Sequence, residues 1–219
     1  MKLIVRIGIV ALALVLASHC VLGQTPAPGK AAPARPAAAG TLAKATFAGG
    51  CFWCMQGEFE ELPGVKSVIA GYTGGTTPHP TYEQVSSGAT GHFESIEVTY
   101  DPGKIAYDKI LDTYWHNVDP FTPYGQFCDN GPQYRTAIFV HDDAQRAAAE
   151  ASKQKIEQAQ KKKVVTLILP ASTFWPAEDY HQDYAKKNPF RYGLYRKGCG
   201  RDDLLEQIWG VQPKESQKP

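Results

Sequence analysis

The chain of 219 residues has almost no net charge, with 23 basic against 22 acidic residues. No basic face is implied, and a nucleic-acid partner is not expected. Cysteines are few, five in all, too sparse for a disulfide-stapled scaffold of this size. The six histidines, at positions 19, 79, 92, 116, 141 and 181, show no ligand spacing, and Cys128 and Cys199 form no second CxxC pair. No metal centre is expected from such a set. The uncharged apolar run from Ile7 to Ala17 is shorter than the ~20 residues of a membrane-spanning helix.

That run follows Lys2 and Arg6, a basic segment before a short apolar one, which reads as a secretory signal. Val21-Leu22-Gly23 places small or aliphatic residues for a cut before Gln24. An uncleaved anchoring helix is the alternative. A lipoprotein signal at Cys20 is a minor one, because His19 occupies a position that wants a small residue. The expected location is therefore periplasmic or secreted. Loss of residues 1–23, which hold no acids, changes the formal charge from +1 to −1. Residues 24–43, rich in Pro and Ala and without aromatics, cannot bury enough apolar surface to offset their ordering entropy and read as a tether. The folded domain is expected over residues 44–212, with a polar tail at 213–219. Four cysteines remain in it, free for chemistry.

The pattern along the domain predicts a strand over 44–48, a turn at Gly49-Gly50, and a helix from Phe52 to Leu62 stopped by Pro63-Gly64. A strand begins at Val65, and Pro78–Gly91 reads as mostly loop. His92–Tyr100 alternates with period two, as a strand does. Tyr107–Val118 reads as a helix, Pro120–Pro132 as a second long loop, and "QYRTAIFVH" as a strand. Asp142 or Asp143 caps a long helix to about Lys162. "VVTLILPA" is a strand, and Ala177–Lys187 and Asp202–Trp209 are short helices. The fold class is α+β: a two-layer ferredoxin-like plait (split βαβ) with long loops and a C-terminal helical extension.

The sharpest feature is "AGGCFWC". Cys51 follows a diglycine at the first turn of a helix, where free N–H groups and the dipole favour a thiolate. A thiol that titrates near ~8.5 can fall to roughly 3.5–7.5 in such places. The glycines are expected to leave substrate an open approach. Cys54 lies one turn deeper. Residues three apart on a helix hold their Cβ atoms roughly 5–6 Å apart, against ~3.8 Å in a disulfide, so a Cys51–Cys54 bond suits turnover better than permanence. The pair remains compatible with half a zinc site, a thioredoxin-like motif, a buried structural pair, or a nucleophile that attacks another electrophile.

Glu94 helps to choose. On its strand it shares the apolar face with Ile96, Val98 and Tyr100. A strand-end glutamate that reaches water is the bland alternative. A partly desolvated carboxyl, protonated near neutrality, is a general acid. Disulfide exchange needs no acid to remove an oxygen, whereas thiolate reduction of a sulfoxide does. Tyr82 and Tyr134, at loop junctions, are candidate donors to that oxygen, although either alone is more often a packing residue.

The blocks "GGCFWC", "GYTGG", "PTYEQVSSGATGHFESIEVTYDP", "DNGPQYRTAIF" and "AEDYHQDYAKKNP" resemble the peptide methionine sulfoxide reductase A family, from about Lys44 to Trp209. The resemblance implies a two-layer plait and reduction of the S epimer of methionine sulfoxide, free or in oxidised proteins, in repair after oxidative damage. It also implies Cys51 as nucleophile, Glu94 as acid, Tyr82 and Tyr134 as oxygen binders, and Asp129 beside the sulfoxide. Phe52 and Trp53 would form a wall for the substrate methyl. No cofactor is implied; a thioredoxin-type protein or small dithiol reduces the enzyme, expected as a monomer. The resolving thiol is Cys54 or Cys199, with Cys54 favoured for proximity and Cys199 an alternative or a relay. Cys128 is expected to be unreactive, and His92 structural.

Overall fold

The strand that carries "ATFAG" is buried on both faces and becomes the middle of the sheet. In the computed structural model, which describes residues 40–210, β1 (Ala43–Gly49) pairs antiparallel with β3 (Phe93–Tyr100) on one side and β6 (Thr136–Val140) on the other. Strand β2 (Val65–Thr73) pairs with β3, so the central order is β6-β1-β3-β2. That order is the expected plait. Two edge strands extend it: β7 (Leu167–Pro170), parallel to β6, and β8 (Trp175–Pro176), antiparallel to β2.

Helices α1 (Phe52–Glu60), α3 (Tyr107–Trp115) and α4 (Asp143–Gln160) contribute Phe52, Met55, Phe59, Ile110, Leu111, Tyr114 and Ala149 to the main core. Phe47 of β1 is its hub, stacked on Phe59 at 5.5 Å and on Tyr114 at 4.9 Å. Asp142 caps α4 by accepting the Gln145 N–H at 2.7 Å, which leaves the helix dipole matched by a carboxylate. A smaller cluster of Ala48, Phe93, Ala137 and Phe139 forms a second patch of core.

The departures from the sequence reading lie in the connections. Pro78–Gly91 is not all loop: Thr81 and Gln84 form a capping box that starts α2 (Tyr82–Ser86). Pro120–Pro132 contains a small hairpin, β4 (Gly125–Gln126) with β5 (Asp129–Asn130). The helix expected over Ala177–Lys187 shrinks to α5 (Tyr184–Lys187), because Asp183 adopts a left-handed backbone (φ 54°) just before it. A further helix, α6 (Pro189–Gly198), follows with Pro189 in its first turn, and α7 (Arg201–Trp209) ends the described chain. The strand read from "VVTLILPA" is only its second half. The expected signal (1–23), most of the tether (24–43), Cys20 and the tail (213–219) lie outside the described residues, although Ala43 already belongs to β1. No helix among the described residues is long and apolar enough to cross a membrane.

The diglycine turn has a different reason from the one expected. A Cβ on Gly49 would meet Met55 Sδ at 2.6 Å and Val118 at 2.9 Å, and one on Gly50 would meet the Gln126 Cβ at 2.6 Å. Their missing side chains admit the protein's own α1 and β4, not substrate. Gly50 also has φ +82°. Gly50→Ala is expected to cost about 1–3 kcal/mol through strain and overpacking. Urea denaturation reads this, and an unchanged midpoint would show that the turn relaxes freely.

Candidate active site

Strand β1 delivers Cys51 to the N-cap of α1, and the Cys54 amide donates to the Cys51 carbonyl at 3.1 Å. Both thiols are free and deeply buried, 5% and 2% exposed. They pack with Tyr192 under Trp53, Tyr184 and Tyr195. This corrects the expected low Cys51 pKa. Burial pushes the Cys51 thiol well above its ordinary value, and the neighbouring Cys54 and Glu94 add to the rise. Cys54 instead is lowered to about 6, chiefly by its hydrogen bond with Cys51 and then by Arg201 and Arg196. The helix N-terminus is outweighed by desolvation, and the fixed cations favour the other sulfur. Negative charge on the pair therefore rests first on Cys54.

Glu94 lies at the start of β3, opposite Tyr72 of β2. Only 2% exposed, its carboxylate accepts the Phe52 N–H at 3.2 Å. Burial raises its pKa to about 8; hydrogen bonds from the Phe52 amide and Tyr134 pull it down, while Asp129 and Cys54 push it up. It is the desolvated acid expected, set against the residue that follows Cys51.

The two tyrosines come to the same place by separate routes. Tyr82 opens α2, and its N–H donates to Glu178 Oε1 at 2.9 Å, while the Tyr72 hydroxyl holds Glu178 Oε2 at 2.9 Å. Tyr134 ends a short 3-10 turn, Pro132–Tyr134. Burial raises the pKa of both hydroxyls, with Glu94 and Cys51 among the further causes, so both stay protonated as donors. Asp129 on β5 accepts from the Tyr195 hydroxyl at 2.5 Å. Burial raises its pKa, and the Tyr195 bond opposes that rise.

Phe52 is fully buried, with its ring 5.9 Å from Tyr72 and 5.0 Å from His181. Trp53 is half-buried. Its ring stacks on Tyr184 at 3.8 Å, meets Tyr195 edge-on, and donates its N–H to His181 Nδ1 at 3.1 Å. Phe52 is therefore core as well as lining, and Trp53 is the more open of the two.

Cys199 is not beside the thiol pair. It is bonded to Cys128 of the β4–β5 hairpin, 71 residues away in sequence. Cys128, expected to be unreactive, is thus disulfide-bonded, because the fold brings the hairpin against the end of α6. With Asp129 these sulfurs form a cluster of metal-ligand types within 4.8 Å, but sulfurs bonded to each other offer no thiolate to a metal. His92 has a structural role, accepting the Gly75 N–H at 3.1 Å and contacting the Thr77 carbonyl at 2.8 Å.

Sequence reasoning missed Tyr195, Tyr192, His181, Arg196 and Arg201. Arg201 is buried, donates to the Gly49 and Asn117 carbonyls, and lies over the Phe127 ring. Arg196 bridges Glu58 and Asp202. Nothing local in the C-terminal segment marks Arg196 and Arg201 as buried, so the sequence offered no signal for them. A separate cleft of about 520 Å³, lined by Trp115, Ile156 and Trp209 among others, holds none of these groups.

Comparison with known proteins agrees with this constellation. A profile of the family described as peptide methionine sulfoxide reductase matches residues 43–213. A Bacillus licheniformis protein named peptide methionine sulfoxide reductase MsrA is 54% identical over 173 residues, 78% of this chain and 96% of its own. MsrA 2 of Caulobacter vibrioides is 50% identical over 197 residues, 89% and 95% of the two chains. Among solved structures, Mxr1 of Saccharomyces cerevisiae in reduced form superposes with a TM-score of 0.65 at 30% identity, covering 68% of this chain and 87% of that one. With a buried free cysteine pair and a protonated glutamate at its centre, and with most of its length matched, the chain belongs to the peptide methionine sulfoxide reductase family.

Proposed function

We propose that Cys51 attacks the sulfur of the S epimer of methionine sulfoxide while Glu94 protonates its oxygen. The activity is thiol-dependent reduction of methionine sulfoxide to methionine, with thiols as the electron source. The observation that carries the residue roles is the Glu94 carboxyl, buried, still protonated up to about pH 8, and hydrogen-bonded to the amide next to Cys51.

Near neutrality the cysteine pair holds one negative charge and one proton. As Cys51 Sγ bonds to the sulfoxide sulfur, its proton passes to the Cys54 thiolate. The S–O oxygen takes the Glu94 proton, with Tyr82 and Tyr134 donating hydrogen bonds to it. The hydroxyl passes to Cys51 as sulfenic acid and the thioether leaves, so substrate sulfur gains the two electrons that Cys51 loses. Cys54 then condenses with the sulfenic acid, releasing water and forming the Cys51–Cys54 disulfide. Trp53 and Phe52 form an apolar wall for the methyl group, and Asp129, held by Tyr195, lies beside the site. A thioredoxin-type dithiol supplies the electrons for the next cycle.

The substrate range is free methionine sulfoxide and oxidised proteins, and the chain works as a monomer. Residues 44–212 are its catalytic domain, preceded by a cleaved signal (1–23) and a tether (24–43) and followed by a polar tail (213–219). We read the protein as periplasmic or secreted; the basic-then-apolar N-terminus supports that reading.

The test is consumption of each methionine sulfoxide epimer with dithiothreitol. The S epimer is expected to disappear and the R epimer to persist. Loss of neither epimer to a folded protein would return the CxxC pair to disulfide exchange.

A further inference from the structure

We propose that Tyr192 and Arg196 form a hydrogen-bonded pair that aims a fixed proton donor at the Cys54 sulfur, and so makes Cys54 the thiolate that accepts the Cys51 proton and later resolves the sulfenic acid. Tyr192 touches the sulfur, and Arg196 is a positioning residue that acts through it. The inference rests on the functional reading above.

Two helices meet here in matched steps. On α1, Cys54 and Glu58 are four residues apart and share a face; on α6, Tyr192 and Arg196 do the same. Each step touches its counterpart. Tyr192 packs with Cys54, its hydroxyl within hydrogen-bonding reach of the sulfur. Arg196 Nη2 donates to Glu58 Oε1 at 3.2 Å. A third helix closes the arrangement, since Asp202 of α7 accepts from Arg196 Nε at 2.8 Å. Tyr192 and Arg196 are both buried, and the mechanism above gives neither a role.

The direction of the Tyr192 hydroxyl follows from what its neighbours can do. Arg196 Nη1 donates to the Tyr192 oxygen at 2.9 Å. A guanidinium carries only donors and stays charged. The tyrosine oxygen therefore accepts from Arg196, and its own proton points elsewhere. Cys54 is the acceptor beside it. Burial, with Cys54 the next cause, raises the Tyr192 pKa, so the hydroxyl keeps its proton. A hydrogen bond made to the charged form favours that form, and here it favours the Cys54 thiolate.

The other groups that face Cys54 act differently. Arg201 of α7 favours the thiolate by charge alone. Glu94 of β3, when ionised, is a like charge coupled to it, and Tyr195 of α6 spends its hydroxyl on Asp129 and Cys51. Cys51 donates to Cys54 within the same turn, but that proton is the one the reaction transfers, so this bond does not outlast the first step. The Tyr192 bond does. Once Cys51 is a sulfenic acid, Tyr192 and the two arginines remain to draw Cys54 back to a thiolate. Cys54 Sγ then attacks Cys51 Sγ: the S–S bond forms, the S–O bond breaks, and the hydroxyl leaves as water with the proton that Cys54 gave up.

The experiment is the pH profile of methionine formation in a single turnover, with reduced full-length protein and saturating S epimer. The wild-type rate is expected to fall on the acid side as pH drops through about 6, where Cys54 takes up its proton. Tyr192→Phe keeps the ring and its packing but removes the hydroxyl, so this acid limb is expected to move up by about one pH unit or more. The variant is then about tenfold slower than wild type near about pH 5 and within about twofold of it near about pH 7.5, while the alkaline limb set by Glu94 stays at about 8. Arg196→Gln is expected to move the acid limb in the same direction, and to add little in the Tyr192→Phe background because the two act in series. Damaged packing alone would slow the reaction equally at every pH. A Tyr192→Phe acid limb that coincides with the wild type would overturn the assignment and leave the reductase reading intact. No methionine from the wild type would overturn the reductase reading itself.

Discussion

Glu94→Gln is expected to slow methionine formation about 10²–10⁴-fold in a single turnover, the range for loss of a positioned general acid. Glutamine keeps the shape of the side chain and can still accept the Phe52 N–H, so the pocket is preserved while the transferable proton is lost. In the wild type the rate should fall as pH rises through about 8, where Glu94 loses its proton; that alkaline limb is expected to vanish in the variant.

The same substitution has an opposite effect on stability. The folded pKa of Glu94, about 8, lies above its ordinary value of 4.5. Between these two values the folded state binds more protons than the unfolded one, so stability falls as pH rises through the window. Removing the charge is therefore expected to stabilise the protein by about 3–5 kcal/mol at pH 9 and hardly at all at pH 4. Slower chemistry together with a raised denaturation midpoint at pH 9 would identify a strained, functional carboxyl. A variant as fast as wild type would remove Glu94 from the mechanism.

Cys51→Ser is expected to abolish methionine formation, a loss on the order of 10⁴-fold or more, as when a covalent nucleophile is removed. A buried hydroxyl is close to a thiol in size but is neither ionised near neutrality nor able to form the sulfenic acid and the disulfide that follow. The comparison with Cys54→Ser is informative because Cys54, at about 6, is the more acidic sulfur. Cys54→Ser is expected to retain one methionine per reduced chain while losing the Cys51–Cys54 disulfide. The reverse pattern, with activity lost at Cys54 and kept at Cys51, would exchange their roles. Rapid quench with quantitation of methionine per chain distinguishes the two.

The plait was readable because its signals are local. Alternation along Phe93–Tyr100, the apolar stripe Phe52-Met55-Phe59 and the Asp142 cap each lie within one element, and the order of elements limits how they pack. The candidate site was legible where one element states it: the diglycine, the cysteine pair that opens α1, and Glu94 on the apolar face of its strand. The short helix at Tyr82 was missed even though its capping box is printed in Thr81 and Gln84, since Gly, Ser and Pro around it read as loop.

What the sequence by itself determined is the class of fold, a candidate nucleophile and acid, and, through ordered blocks, the family. Only the tertiary structure decided which sulfur is the more acidic, why the glycines are needed, and which cysteine Cys199 meets. The physical reason is that these properties are sums over groups far apart in the chain. Cys54 owes its charge in part to Arg196 and Arg201, Glu94 reaches the Phe52 amide across 42 residues, and Cys128 finds Cys199 across 71. Desolvation and Coulomb energies depend on those distances in space, and no local pattern of residues encodes them.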